Sequence, residues 1–200
     1  AQGQAILMET YRRFVDPRYS VRQVLVEHAH FNNDVSRAHI LSLLVRASEQ
    51  NAVPIVNYND AVAVEELRKT ELSNLAREGK MPVELVDNDE TAAQIACLTG
   101  AKRLLILSTL EGVYADIKDP GSLIREIRGT KEEVLGKIDE YKSRCVGASR
   151  KGAGGAAAKL EYIKPCVRAG IDVIIGSASH DVRNVLSGAV PRTHISVTNG

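Results

Sequence analysis

Two hundred residues, 44% hydrophobic and 26% charged, are enough for one globular domain with a sizeable core and exclude a disordered chain. The formal charge of +1, without a long basic block, gives no electrostatic argument for nucleic acid or an anionic membrane, so any anion must be held locally. No apolar run approaches the ~18 residues of a membrane span and no basic-then-apolar leader opens the chain, so a cytoplasmic protein is expected.

Leu7, Met8, Tyr11 and Phe14 recur at helical spacing and predict a helix over 5–15, which the proline of VDPRYS ends. VRQVLVEH, 21–28, follows as a strand. Ile40, Leu41, Leu44 and Val45 form the apolar stripe of a helix over 36–50, and NAVPIVN, 51–57, is a short strand running into a polar tip. The charged stretch within 65–86 reads as a helix or a long surface excursion.

Residues 89–99 read as a helix with an acidic start, KRLLILS, 102–108, as a strand suited to burial on both faces, and EGVYAD as the turn that closes it. Residues 121–136 are polar and carry a short strand or helix. A helix is then expected over 157–169, a buried strand at IDVIIGS, 171–177, and a final short helix over 182–186.

Apolar strands alternating with helices predict an α/β chain, a three-layer αβα sandwich around a mainly parallel sheet. Ligands in such sheets collect beyond the carboxyl ends of the strands. NYND, ST and GS each follow directly on an apolar strand, and are expected to line one rim.

Two stretches are unusual. KGAGGAAAKLE, 151–161, combines glycines, which let main-chain N–H groups approach a ligand, with a lysine where a helix begins. Taken alone it reads more readily as a connector than as a phosphate loop, and a standard P-loop is excluded, since Ala158 precedes Lys159 and Leu160 follows it. VDNDETAA places Asp87, Asn88 and Asp89 before a helix, where Asp or Asn is an ordinary N-cap.

Cys97, Cys145 and Cys166 are odd in number, far apart in sequence and without CxxC spacing, which supports neither a disulfide framework nor a zinc site; reduced, mostly buried thiols are expected. His28 and His30 would share one face of a strand, but with His39 they lack a carboxylate or cysteine at ligand spacing, so no metal site is assigned.

Taken together, these stretches resemble the amino acid kinase family, and within it the glutamate 5-kinases. PIVNYNDAV, 54–62, is similar to the family's PIINENDAV, and DNDETAA, 87–93, to DNDNLSA. LLILSTLEGVY, 104–114, is similar to LLLLTDxxGLY, and GAGGAAAK, 152–159, to GTGGMxTK, all in the same order. RAGIDVIIGS, AQGQAILM and VRQVLVEHAHF extend the resemblance over nearly the whole chain.

The resemblance implies transfer of the γ-phosphoryl group of ATP, with Mg2+, to the side-chain carboxylate of L-glutamate, giving glutamyl 5-phosphate, the first step of proline biosynthesis. It makes Lys159 and Asp89 catalytic, the lysine meeting the transferring phosphoryl group and the aspartate orienting it. It gives Asn57, Asp60 and Asn88 to the glutamate, and Ser108, Thr109, Tyr114, Gly152, Gly154, Gly155 and Lys159 to the nucleotide. A homo-oligomer is implied, with no nucleic-acid or membrane partner. An acetylglutamate or uridylate kinase, a non-catalytic ligand-binding relative and a kinase fused to a reductase remain as alternatives.

Departures stand beside the matches. Thr109 replaces the family's aspartate, Ala156, Ala157 and Ala158 replace Met-x-Thr, and Tyr58 replaces a glutamate. The family's opening strand, with a catalytic lysine in V-K-[LF]-G-[ST], and its serine-glycine-alanine turn have no match in the 200 residues. The chain is therefore read as a single amino acid kinase-like domain over 1–200 that is an N-terminally truncated fragment, inactive or nearly so alone.

Overall fold

The computed structural model describes residues 2–59, 77, 88–144 and 155–198, which fall in two units, Ala1–Asn88 and Asp89–Gly200. In the first, helix α1 (Gln2–Phe14) leads into strand β1 (Ser20–Val26), helices α2 (His28–Asn32) and α3 (Asp34–Glu49), and strand β2 (Ala52–Tyr58). β1 and β2 pair in parallel, Ser20 opposite Ala52 and Val26 opposite Tyr58, with α2 and α3 forming the crossover.

The Asn33 side chain caps α3 by accepting from the Ser36 N–H at 3.0 Å. Ile40, Leu44 and Ala47 form the buried stripe of α3, whereas Val45, expected in it, is 46% exposed. The strand expected over 21–28 stops at Val26, because Glu27 caps a helix instead: its N–H donates to His30 Nδ1 at 3.0 Å. His28 and His30 are thus helical residues and do not share a strand face. Among the described residues no three His, Cys, Asp or Glu side chains gather as a metal site, and no helix is long and apolar enough to cross a membrane.

The second unit takes in α4 (Asn88–Thr99) from Asp89 onward and β3 (Arg103–Ser108), followed by β4 (Glu126–Gly129) and α5 (Lys131–Arg144). It continues through α6 (Ala156–Tyr162), α7 (Lys164–Arg168), β5 (Asp172–Ser177), α8 (Val182–Ser187) and β6 (Arg192–Val197). The strand order is β3-β5-β6-β4, with β3 parallel to β5, β6 antiparallel to β5, and β4 parallel to β6. The architecture is α/β with mainly parallel pairing, as expected.

Several expectations need correcting. The chain does not close on the short helix, since β6 follows it and pairs on both sides within the sheet. The polar segment over 121–136 carries both β4 and the start of α5, whose Val134 and Ile138 are fully buried. The helix expected over 157–169 breaks at Ile163, which ends α6 and begins α7; Pro165 has no N–H to continue the helical ladder. β5 is buried on both faces, but β3 only on one: Leu104 and Ile106 are buried while Leu107 is 43% exposed.

One rung crosses the whole sheet. Leu104 lies opposite Val173, Val173 opposite Ile195, and Ile195 opposite Ile127. All four are buried in one apolar cluster with Val134, Ile138, Leu160 and Ile163 from the helices. Lys164 fastens those helices at their edge: its ammonium donates to Asp139 on α5 at 2.6 Å and to Glu161 on α6 at 2.8 Å. These bonds, Asp139 first, raise the Lys164 pKa above its ordinary value.

The turn after β3 is anchored on β6. The Val113 N–H donates to Thr193 Oγ1 at 2.8 Å, and that hydroxyl donates to the Ile124 carbonyl at 2.6 Å. Gly112 permits the approach, because a Cβ there would come within 2.9 Å of the Thr193 main-chain nitrogen. Thr193→Val keeps the shape but leaves a buried N–H and a buried carbonyl without this partner. A loss of about 1–3 kcal/mol is expected by urea unfolding; an unchanged midpoint would show that both groups find water.

Candidate active site

The directions of the elements bring several of their ends to one level. α4 runs roughly 18 Å and is followed directly by β3, which returns over about the same length, so the start of α4 lies level with the end of β3. α6 and α7 precede β5 in the same way, which brings the start of α6 level with the end of β5. β3 and β5 are parallel neighbours with Ser108 opposite Ser177. Two helix starts and two strand ends therefore meet at one rim.

At that rim Lys159, on α6, donates its ammonium to the Asp89 carboxylate in the first turn of α4. The side chains are only 20% and 17% exposed, so this pair is more sheltered than the surface ion pairs among the described residues. A carboxylate is favoured at the start of a helix, where main-chain N–H groups point outward. Asp89 is therefore well placed to hold the lysine in position. Asn88 precedes it as the first residue of α4 and is exposed.

The strand ends supply hydroxyls and main-chain donors. The Ala178 N–H donates to the Ser108 carbonyl at 2.8 Å, locking the two tips, and the Ser177 and Ser179 hydroxyls share a hydrogen bond of 2.8 Å. Thr109 is exposed beyond β3. Tyr114 donates its hydroxyl to Glu111 at 3.3 Å, and burial together with that carboxylate raises its pKa above the ordinary phenol range. His180 lies 3.7 Å from the other Glu111 oxygen. Gly155 is the N-cap of α6 and offers no side chain to block the approach to its first turn.

In the first unit, Asn57 is half-buried on β2 opposite Leu25. Next to it Asn59 donates its side-chain amide to Glu27 at 2.8 Å, tying the tip of β2 to the start of α2. Asp60, Gly152 and Gly154 lie outside the described residues. Of the residues expected in the site, Lys159 and Asp89 meet directly, Ser108 ends β3, Thr109 follows it, and Gly155 caps the helix that carries Lys159. Ser177, Ser179, Glu111 and His180 were not assigned from sequence, although the GS at the end of β5 had marked its tip as rim.

The match to the "Amino acid kinase family" runs over residues 1–177, and so includes both strand ends and both helix starts. The chain belongs to the amino acid kinase family. Among its relatives, the glutamate 5-kinase of Dictyoglomus thermophilum is 31% identical over 194 residues, 95% of this chain and 45% of that protein. The glutamate 5-kinase of Clostridium perfringens is 28% identical over 206 residues, 100% of this chain and 65% of that protein. Glutamate 5-kinase 2 of Bacillus subtilis is 28% identical over 191 residues, 94% and 45%. The chain thus spans 45 to 65% of the length of these curated relatives. Among solved structures, the UMP kinase from Ureaplasma parvum matches 91% of this chain and 100% of its own at a TM-score of 0.39 and 10% identity, too weakly to carry an argument.

Proposed function

We propose that this protein transfers the γ-phosphoryl group of ATP to the side-chain carboxylate of L-glutamate. The observation that carries the reading is the sheltered Lys159–Asp89 pair, which joins two motifs seventy residues apart at the strand tips. The glutamate 5-kinase relatives supply the acceptor.

The reaction asks little covalent chemistry of the protein. A glutamate side chain, with an ordinary pKa near ~4.3, is already ionised at neutral pH and needs no general base. Its oxygen attacks the γ-phosphorus, the bond to the bridging oxygen breaks, and ADP leaves. Negative charge spreads over the phosphoryl oxygens meanwhile, and a fixed ammonium placed against them stabilises that state more than the ground state. Lys159 takes this role and Asp89 fixes its direction. Mg2+ entering with ATP would supply further charge neutralisation.

Ser108, Thr109, Tyr114, Gly152, Gly154 and Gly155 receive the nucleotide in this reading. Asp60 accepts from the α-ammonium of glutamate, Asn88 donates its amide to a carboxylate oxygen, and Asn57 supports that pocket. Asn88→Ala and Asp60→Ala are each expected to raise KM for glutamate about tenfold with a smaller change in kcat, since positioning contacts exist before the transition state as well as in it. An effect confined to KM for ATP would reverse the pocket assignment.

ADP release in the presence of L-glutamate, N-acetylglutamate or UMP tests the acceptor. Release with glutamate alone supports the reading. Release with either of the others moves the chain to another branch of the family, and ATP binding without release with any of them makes it a ligand-binding relative.

A further inference from the structure

The two segments that hold the Lys159–Asp89 pair meet a second time, through sulphur. Cys97 lies on α4 about two turns beyond Asp89, and Cys166 lies on α7 about two turns beyond Lys159. Their Sγ atoms are 3.7 Å apart, and Cys166 Sγ also lies 3.6 Å from the Ala93 carbonyl on α4. Cys166 is fully buried, whereas Cys97 is partly exposed. Both thiols are free, and the distance leaves the sulphurs in contact but well short of the ~2.05 Å of a disulfide.

We infer that Cys97 and Cys166 form a redox modification site, closing to an intramolecular disulfide on exposure to a hydroperoxide and cross-linking α4, which carries Asp89, to α7, which follows the helix that carries Lys159. The geometry assigns separate roles. Cys97 meets the oxidant, because it alone of the two reaches solvent, and Cys166 resolves, because it needs to reach only Cys97. The hydrogen bond from Cys166 favours the reactive form of Cys97, holding its pKa down to about 7 against the opposing effect of burial. The same contact, with burial, pushes the Cys166 thiol up.

The Cys97 thiolate attacks one oxygen of hydrogen peroxide and the O–O bond breaks, giving a Cys97 sulfenic acid and hydroxide, which is protonated to water. The Cys166 sulphur then attacks the Cys97 sulphur, the S–O bond breaks, and the departing hydroxide takes the Cys166 proton as a second water. Two thiols lose two electrons and one peroxide is reduced to two waters. A thiol reductant restores the pair. Closure would pin the far ends of two segments whose near ends form the ion pair, so the rigidity of the rim would follow the oxidation state.

The test is peroxide treatment of the protein, alkylation of remaining thiols, digestion without reductant, and mass analysis. The expected product is a peptide pair joined at Cys97 and Cys166, lighter by two hydrogens and separated by dithiothreitol. Cys97→Ser should lose that product completely. Cys166→Ser should lose it while leaving a Cys97 sulfenic acid that dimedone traps. Three results in the unmutated protein would overturn the inference: a bridge through Cys145, Cys97 oxidised to sulfinic acid while Cys166 stays alkylatable, or all thiols intact at peroxide levels that oxidise free cysteine. The readout is a mass, so it stands whatever acceptor the kinase proves to use.

Discussion

Lys159→Ala lowers kcat for glutamate-dependent ATP turnover by about 100-fold or more, the expected result if its ammonium meets charge that develops only in the transition state. KM for glutamate should change far less. The substitution is suited to the question because the lysine's polar contact is with Asp89, in the first turn of α4, a position that favours a carboxylate. Circular dichroism should therefore report an intact fold. Lys159→Arg would not restore the rate, because a planar guanidinium cannot reproduce the position of a compact ammonium. An unchanged kcat in the alanine variant would reduce the pair to an ordinary ion pair between two helices.

Ile195→Ala is expected to cost about 2–5 kcal/mol, the range for removing a branched side chain from a packed core. Ile195 is fully buried at the point where β6 joins β4 to β5, opposite both Ile127 and Val173, so the vacated space is bounded by strands on either side. Strands hydrogen-bonded on both edges cannot collapse into a cavity as a surface helix can. Such a loss is a large part of the ~5–15 kcal/mol that stabilises a typical domain. Urea unfolding should show the midpoint falling with an unchanged slope. A cost below about 1 kcal/mol would mean that the four-strand rung is not where the second unit draws its stability.

The sequence disclosed β3 and β5 because apolar residues run through them almost unbroken, and the rim because polar residues follow both strands at once. It did not disclose β6. RTHISV opens with three polar residues, so only Ile195 and Val197 show the alternation of a strand, and it is short and comes after a segment that already reads as an ending. α5 was hidden for the opposite reason: KEEVLGKIDEYKSR is so charged that its two fully buried residues, Val134 and Ile138, make a narrow stripe. Pro165 was visible, yet the apolar spacing continues across it and suggested one helix where the missing N–H makes two. His28 and His30 illustrate local capping overriding alternation, since the bond from Glu27 to His30 starts a helix where the strand pattern would continue.

The site divides in the same way. Residue types and spacing alone left Lys159 as an ordinary helix lysine and Asp89 as an ordinary acidic first turn. The ordered motifs of the family raised both, and the fold brings them into contact. Cys97 and Cys166 had no such guide, because no spacing rule links two thiols on separate helices, and only the packing of α4 against α7 reveals them.

The central claim, phosphoryl transfer to the glutamate side chain at the Lys159–Asp89 rim, is tested most directly by trapping the acyl phosphate with hydroxylamine. The complete gene product, supplied with Mg-ATP and L-glutamate, should yield γ-glutamyl hydroxamate, and the Lys159→Ala variant should yield almost none. Hydroxamate formed equally well without Lys159, or a folded protein that binds ATP and forms none, would contradict it.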